Sequence, residues 1–206
     1  MLVNGAIFFG KIEKISCIFL RSVSRKRQNT NAWHFNVSVL YPIAQTHKTV
    51  FLKELNHLIN KDVLENISRS KWAFSTFIIP KKDGRVCWGS DFRKLNKLLK
   101  RPRYFLPSIP EIMQRRQGFT YITKIYISMG FYTFGIDASS QKLCVISTPF
   151  GLYKNKRLPM GITNSPYFFQ SVMHHLFTDL HNVECFINNI GIFSLGSFHD
   201  HLLQIH

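Results

Sequence analysis

Acidic residues are scarce in this sequence. Only 11 aspartates and glutamates stand against 27 lysines and arginines, so the 206-residue chain has a formal net charge of +16. A positive field of this kind disfavours cationic partners and favours polyanions, either nucleic acid or an acidic membrane surface. Charge alone is equally compatible with a basic chain that has no such partner, so motifs have to decide the matter.

Cysteines are few and widely separated, and none forms a Cys-x-x-Cys pair: they are Cys17, Cys87, Cys144 and Cys185. This spacing predicts neither a zinc site nor a disulfide framework, and it fits a reducing intracellular compartment, cytoplasmic or nuclear. The segments His174-His175 and His199-Asp200-His201 have no ligand partners at zinc-finger spacing. We interpret them as polar faces of helices and expect no metal there.

Long apolar runs are also missing. Lys11, Glu13 and Lys14 interrupt the apolar amino-terminal segment, and no stretch reaches the roughly 20 apolar residues that a transmembrane helix needs. Basic residues follow the apolar part, which is the reverse of a secretory signal. We expect no membrane partner. Residues 1–31 remain an unassigned basic segment, either a mitochondrial leader or an unrelated stretch joined to the gene.

The remainder of the chain alternates helical and strand patterns, without repeats or low-complexity segments. Helical spacing of apolar residues, a proline in the first turn, and a cap-plus-proline signal predict helices over residues 49–60, 109–116 and from Asn164-Ser165-Pro166 onward. Strands are predicted near residues 74–80, 85–92, 120–126, 143–148, 183–187 and 190–193, with Asp83-Gly84 as a hairpin turn. This alternation of antiparallel strands with packing helices predicts an α+β fold.

The most informative motif is an apolar hairpin, Phe186-Ile187-Asn188-Asn189-Ile190-Gly191-Ile192-Phe193. We expect Asn188 and Asn189 at its tip, because asparagine tolerates the left-handed backbone of tight turns. The motif closely resembles the [Tyr/Phe]-Ile-Asp-Asp motif of reverse transcriptases, with both aspartates replaced by neutral amides. A third aspartate of that family belongs in Thr123-Lys124-Ile125-Tyr126-Ile127-Ser128, where this chain has Tyr126.

Further motifs follow the order and spacing of gypsy-type long-terminal-repeat retrotransposon polymerases. They are Phe77-Ile78-Ile79-Pro80-Lys81-Lys82-Asp83-Gly84-Arg85-Val86, Ser90-Asp91-Phe92-Arg93-Lys94-Leu95-Asn96-Lys97, Thr148-Pro149-Phe150-Gly151-Leu152-Tyr153, Leu158-Pro159-Met160-Gly161-Ile162, and Asn164-Ser165-Pro166 with Phe169-Gln170. The resemblance implies a reverse transcriptase-like domain over residues 32–206. It would comprise fingers at about 41–120 and, in part, 133–158, and a palm with an antiparallel sheet at about 121–206. The thumb is expected to be absent.

In the family, the three aspartates hold the two magnesium ions that activate the primer hydroxyl and shield the triphosphate. Magnesium prefers anionic oxygen ligands, whereas the amides of Asn188 and Asn189 and the phenol of Tyr126 are neutral. We therefore expect no cofactor to bind and catalysis to be lost. Among the remaining acids, the family's layout places Asp83 and Asp91 in the fingers, which leaves Asp137, on the strand after the lost aspartate, as the candidate substitute ligand.

Five residues match nucleotide-binding positions of the family. Lys81 and Arg93 would contact phosphates, Phe131 would exclude the ribose 2′-hydroxyl, Gly161 would allow close backbone approach, and Gln170 lies on the palm helix. The alternatives to these nucleotide contacts are that Lys81 is a solvated surface lysine and that Phe131 is an aromatic residue of the core. Cys87 stands where the family commonly has an arginine, which implies one lost phosphate contact.

The sequence therefore predicts a degenerate reverse transcriptase domain that does not polymerise. It leaves open whether the chain is a nucleic-acid-binding module, a relic without function, or a polymerase with unusual ligands. Nucleic-acid binding is expected to be weak, non-specific and salt-dependent. The sequence does not indicate the oligomeric state.

Overall fold

The structure, a computed structural model, describes residues 41–82, 86–100 and 104–205, and the backbone of residues 36–37. The chain divides into two compact units. The described part of the large-sheet unit is residues 36–37, 41–82, 86–100 and 131–165, and that of the hairpin unit is residues 104–130 and 166–205. The segment 1–31 lies outside the described residues, and its predicted lack of packing stays a prediction.

The elements alternate along the chain as the sequence predicts. They are β1 (Asn36–Val37), α1 (Lys48–Asn60), β2 (Leu64–Ile67), β3 (Trp72–Pro80), β4 (Val86–Ser90), α2 (Arg93–Asn96), α3 (Ile109–Arg115), β5 (Tyr121–Tyr126), α4 (Ala138–Gln141), β6 (Val145–Thr148), β7 (Gly151–Asn155), α5 (Ser165–Phe177), β8 (Val183–Phe186), β9 (Asn189–Ser194) and α6 (Phe198–Ile205). Short 3-10 helices lie at Gln45–His47 and Gly130–Thr133. No helix in the described part of the chain is both long and apolar enough to cross a membrane.

The sheet of the large-sheet unit has the strand order β1-β3-β6-β7-β2, and β4 pairs with β3. The β3–β4 hairpin confirms the predicted antiparallel pair, although its turn residues Asp83 and Gly84 lie outside the described residues. The pairs β3–β4, β6–β7 and β2–β7 are antiparallel as predicted. Strand β3 runs parallel to both β1 and β6, so the prediction is wrong for those two pairings. The long chain segment between β3 and β6 permits a parallel crossover, which local patterns do not reveal.

Helix α1 covers the predicted span and supplies much of this unit's core. Phe51, Leu55 and Leu58 recur at helical spacing and are fully buried. The ring of Phe51 packs 4.7 Å, centroid to centroid, from that of Trp88 on β4. Burial of such side chains stabilises the unit by roughly 1.5–3 kcal/mol each, so the apolar stripe of α1 fixes the helix on the sheet.

The hairpin unit is built on a three-stranded antiparallel sheet with the order β5-β9-β8, which confirms the predicted antiparallel sheet. Helix α3 begins with a capping box between Ser108 and Glu111 and has Pro110 in its first turn, as predicted. Helix α5 begins at Ser165, also as predicted. The Asn164 side-chain oxygen, however, has no hydrogen-bond partner among the described residues, so the predicted asparagine cap is wrong.

The histidines have two different roles. His174, His175 and His199 are exposed, as predicted for polar helix faces, but His201 is buried. Its Nδ1 lies 2.6 Å from the Ser194 hydroxyl and its Nε2 lies 2.8 Å from the Thr123 hydroxyl. His201 therefore ties α6 to β9 and β5, and the interpretation of this residue as part of a polar helix face is wrong.

Candidate active site

The β8–β9 hairpin closes with a two-residue turn, Ile187-Asn188, because Phe186 pairs directly with Asn189. Asn189 is thus the first residue of β9. The residue with a positive φ is Ile187, at 52°, so the expectation that an asparagine takes the left-handed conformation is wrong. A β-branched residue rarely adopts this conformation, which marks the turn as a strained point that the surroundings must hold.

Gln170 on α5 holds the strained turn. Its side-chain oxygen accepts a hydrogen bond from the backbone N–H of Ile187 at 2.6 Å, and its amide nitrogen donates to the carbonyl of Cys185 at 2.8 Å. The Gln170 side chain is buried, and burial also raises the pKa of the Cys185 thiol to about 11. The predicted nucleotide contact of Gln170 stays a prediction, while the structure gives its amide a positioning role.

Tyr126 lies opposite Asn189 in the β5–β9 ladder. The ladder is continued by the Ile127 N–H, which donates to the Asn188 carbonyl at 2.8 Å. This confirms the prediction that the three positions are neighbours. The Tyr126 side chain is accessible, with 61% of the residue exposed, and the Asn189 amide donates to the Asn188 side-chain oxygen at 3.2 Å.

An ion cluster anchors the other strand of the hairpin to helix α3. Glu184 on β8 accepts from Arg115 at 2.9 Å and from Arg116 at 3.0 Å. Its carboxylate is mostly buried, with 16% of the side chain exposed, so the two guanidinium groups compensate a charge that would otherwise be costly to bury. Sequence reasoning missed this cluster. The adjacent arginines at the end of a predicted helix were the available signal.

The sequence profile of the family described as Reverse transcriptase (RNA-dependent DNA polymerase) matches residues 79–202, which include the β8–β9 hairpin, strand β5 and helix α5. The chain belongs to the reverse transcriptase family. Its fold is accordingly the α+β fold of polymerase fingers and palm.

Transposon polyproteins resemble the chain over most of its length. The retrovirus-related Pol polyprotein from transposon 297 of Drosophila melanogaster is 31% identical over 172 residues, which cover 80% of this chain and 16% of the polyprotein. The transposon Tf2-7 polyprotein of Schizosaccharomyces pombe is 26% identical over 148 residues, covering 69% of this chain and 11% of the polyprotein. The chain therefore spans only a small part of these relatives.

Solved reverse transcriptases share the fold. The native prototype foamy virus protease-reverse transcriptase superposes with a TM-score of 0.75 at 24% identity, covering 82% of this chain and 23% of that one. The foamy viral protease-reverse transcriptase in complex with an RNA/DNA hybrid gives a TM-score of 0.74 at 22% identity, covering 82% of this chain and 22% of that one. At this level of identity the likeness establishes the fold.

The hairpin does not suit the magnesium ions that the resemblance to reverse transcriptases implies. Magnesium is held by hard, mainly anionic oxygens, whereas the side chains at Tyr126, Asn188 and Asn189 supply a phenol and two amides. The Asn188 oxygen is also engaged by the Asn189 amide. Within the described residues, no cluster of three or more histidine, cysteine, aspartate or glutamate side chains is placed to hold a metal ion.

Asp137, the acid considered as a substitute ligand, has a structural role in the large-sheet unit. It caps α4 by accepting hydrogen bonds from the backbone N–H groups of Ser139 and Ser140, at 3.0 and 3.1 Å, and from both hydroxyls. Burial alone would raise the pKa of Asp137, but these hydrogen bonds outweigh it and hold the pKa below its ordinary value. The carboxylate oxygens are therefore committed to the helix cap.

Arg93, a predicted phosphate contact, is paired within the large-sheet unit. Its guanidinium donates to Asp91 at 2.8 and 2.6 Å, and the Tyr41 hydroxyl also donates to Asp91 at 3.1 Å. The hydrogen bonds from Arg93 hold the pKa of Asp91 far below its usual range. The Arg93 side chain is nevertheless 80% exposed, so a phosphate can still reach the guanidinium N–H groups that Asp91 does not take.

The other predicted residues of this unit differ in how strongly the structure constrains them. Gly161 has φ +92°, and a Cβ there would lie 3.0 Å from the Ser90 carbonyl oxygen. Lys81 is exposed just after β3, and Phe131 is half-buried in the 3-10 helix after Gly130. The backbone conformation at position 161 thus requires a glycine. The nucleotide contacts of Lys81 and Phe131 stay predictions.

Proposed function

We propose that this chain is the fingers and palm portion of a degenerate reverse transcriptase from a gypsy-type retrotransposon, one that binds nucleic acid without polymerising it. We assign the large-sheet unit to the fingers and the hairpin unit to the palm. The observation that carries the proposal is the pairing of Tyr126 with Asn189 at a hairpin without carboxylates. Stabilisation of developing charge is usually the largest catalytic contribution, and these side chains cannot assemble the metal ions that supply it.

Nucleic-acid binding is proposed to survive, because it depends on different groups. The basic residues of the chain outnumber its acids by 27 to 11. The lack of carboxylates at Tyr126, Asn188 and Asn189 makes the proposed palm surface less repulsive to phosphate. Solved relatives in complex with an RNA/DNA hybrid and with double-stranded DNA support a nucleic-acid partner. The same proposal places the chain inside the cell, in keeping with the free thiols of Cys87, Cys144 and Cys185.

The test combines two measurements on the same folded sample. Primer extension on RNA and DNA templates, with magnesium or manganese, should give no product. Fluorescence anisotropy with a labelled primer–template duplex should show binding without sequence preference. Incorporation by the unmodified chain would refute the inactive assignment. Absence of binding at about 50 mM salt, where non-specific phosphate contacts are strong, would leave a relic without function.

A further inference from the structure

A basic cavity lies on one face of the large sheet. It has a volume of about 550 Å³, and Ile67, Trp72 and Val145 are among the residues that line it. In the sheet register Val145 pairs with Lys154 and Lys154 pairs with Glu65, so these side chains project to one face. Ile67, two residues after Glu65, projects to the same face. The volume is in the range of sites that hold small ligands.

Strands β6 and β7 lie between β2 and β3 in the sheet, and the segment that connects β2 to β3 lines part of the cavity. Arg69 and Lys71, two residues apart within that segment, both line the cavity.

The charge of the cavity is positive and largely uncompensated. Arg69, Lys71, Lys142 and Lys154 line it, and no acidic side chain does. Lys154 pairs with Glu65 at 2.8 Å. Within the described part of the chain, Arg69, Lys71 and Lys142 have no ion-pair partner. Three cations from two separate chain segments thus converge on one concave site.

The cavity is separate from the residues that resemble the family's triphosphate site. Trp72 begins β3 and Pro80 ends it, immediately before Lys81. Eight steps of about 3.3 Å put the two ends of this strand roughly 26 Å apart. A phosphate bound between Lys71 and Lys142 therefore uses different groups from one bound at Lys81.

We propose that this cavity, with Arg69, Lys71 and Lys142 as its phosphate ligands, is a second binding site for the backbone of single-stranded nucleic acid. Lysine and arginine supply charge-assisted hydrogen bonds to phosphate oxygens, and a concave site brings several of them to adjacent phosphates. The inference rests on the proposed nucleic-acid binding, and it assigns part of that binding to a surface that the family motifs do not include.

The test measures binding of fluorescein-labelled dT12 to the full chain as a function of salt. The variant is Arg69→Gln, Lys71→Gln, Lys142→Gln. The matched control is Lys48→Gln, Lys53→Gln, Lys61→Gln, which removes the same charge from exposed positions in and just after α1. Loss of three contacts should weaken binding at least about tenfold near 50 mM salt and lower the slope of log K against log salt by about 2.

The control should bind within about twofold of the unmodified chain, because its lysines act only through net charge. The charge-keeping variant Lys71→Arg, Lys142→Arg should also bind normally, and circular dichroism should show that every variant is folded. Equal weakening by the variant and its control would overturn the cavity assignment while leaving the proposed function intact. Absence of binding by the unmodified chain would overturn both.

Discussion

The side-chain oxygen of Gln170 accepts the backbone N–H of Ile187 at 2.6 Å, and Ile187 is the residue of the hairpin turn with a positive φ. One buried amide on α5 therefore supports the strained point of the β8–β9 hairpin. Gln170 contacts the backbone of the hairpin, so its support does not depend on the side chains of Asn188 and Asn189. Under the proposal that the metal ligands are lost, this contact explains how the fold persists.

Replacement of Gln170 by leucine should destabilise the protein by about 2–4 kcal/mol, because the Ile187 N–H and the Cys185 carbonyl lose their buried partner. Urea unfolding gives this difference in free energy. The matched control is His175→Ala, at an exposed position of the same helix. Equal unfolding midpoints for the two variants would contradict the role given to Gln170.

Replacement of Gly161 by alanine should cost about 1–3 kcal/mol, since a side chain at positive φ is strained. The new Cβ would also lie 3.0 Å from the Ser90 carbonyl oxygen. Gly135→Ala is the control, because a Cβ at that position meets no atom within 4 Å. Thermal unfolding measures both changes. A Gly161→Ala protein as stable as the Gly135→Ala protein would show that the local backbone relaxes freely.

Restoration of three carboxylates should restore metal binding. The combined change Tyr126→Asp, Asn188→Asp, Asn189→Asp supplies anionic oxygens at neighbouring positions of β5 and the hairpin, which magnesium and manganese prefer. Calorimetric titration with manganese should detect binding by this variant and none by the unmodified chain. The neutral variant Tyr126→Asn serves as the control for side-chain size. Metal binding is expected to return before polymerase activity, because Cys87 remains in place of a basic residue.

Nucleic-acid binding should weaken steeply with salt. Released counterions make log K fall linearly with log salt, and six to ten phosphate contacts correspond to a loss of about 10³–10⁵ between roughly 50 and 200 mM. Anisotropy titrations at several salt concentrations give the slope. Duplexes of unrelated sequence are the control and should bind equally. A slope near zero would show that the +16 charge does not act through phosphate contacts.

The Asp137 cap should stabilise the protein at neutral pH and lose its effect in acid. The folded-state pKa is lowered, so the contribution is present above the unfolded value and is lost as pH falls through the folded one. Asp137→Ala should cost about 1 kcal/mol near neutral pH, as for other helix caps. Urea unfolding at successively lower pH should show the gap closing below about pH 4, the ordinary aspartate range. A gap independent of pH would exclude the charged cap.

Much of the local structure follows from the sequence. The stripe of Phe51, Leu55 and Leu58 predicts α1, and Pro110 in the first turn predicts the start of α3, because these signals act within a few residues. The motif order also predicts that Tyr126 and Asn189 are neighbours, which the register of β5 and β9 confirms. These features depend on local preferences or on a family pattern visible in the chain.

Other features were decided by tertiary structure. The parallel pairing of β3 with β6, the burial of His201 and the positive φ of Ile187 all depend on partners distant in sequence. Gln170 can impose a strained backbone on Ile187 only because the fold places α5 beside the hairpin. The cavity lined by Arg69, Lys71 and Lys142 likewise forms only when the sheet brings separate segments together. Sequence determined which side chains are available, and long-range packing decided which of them meet.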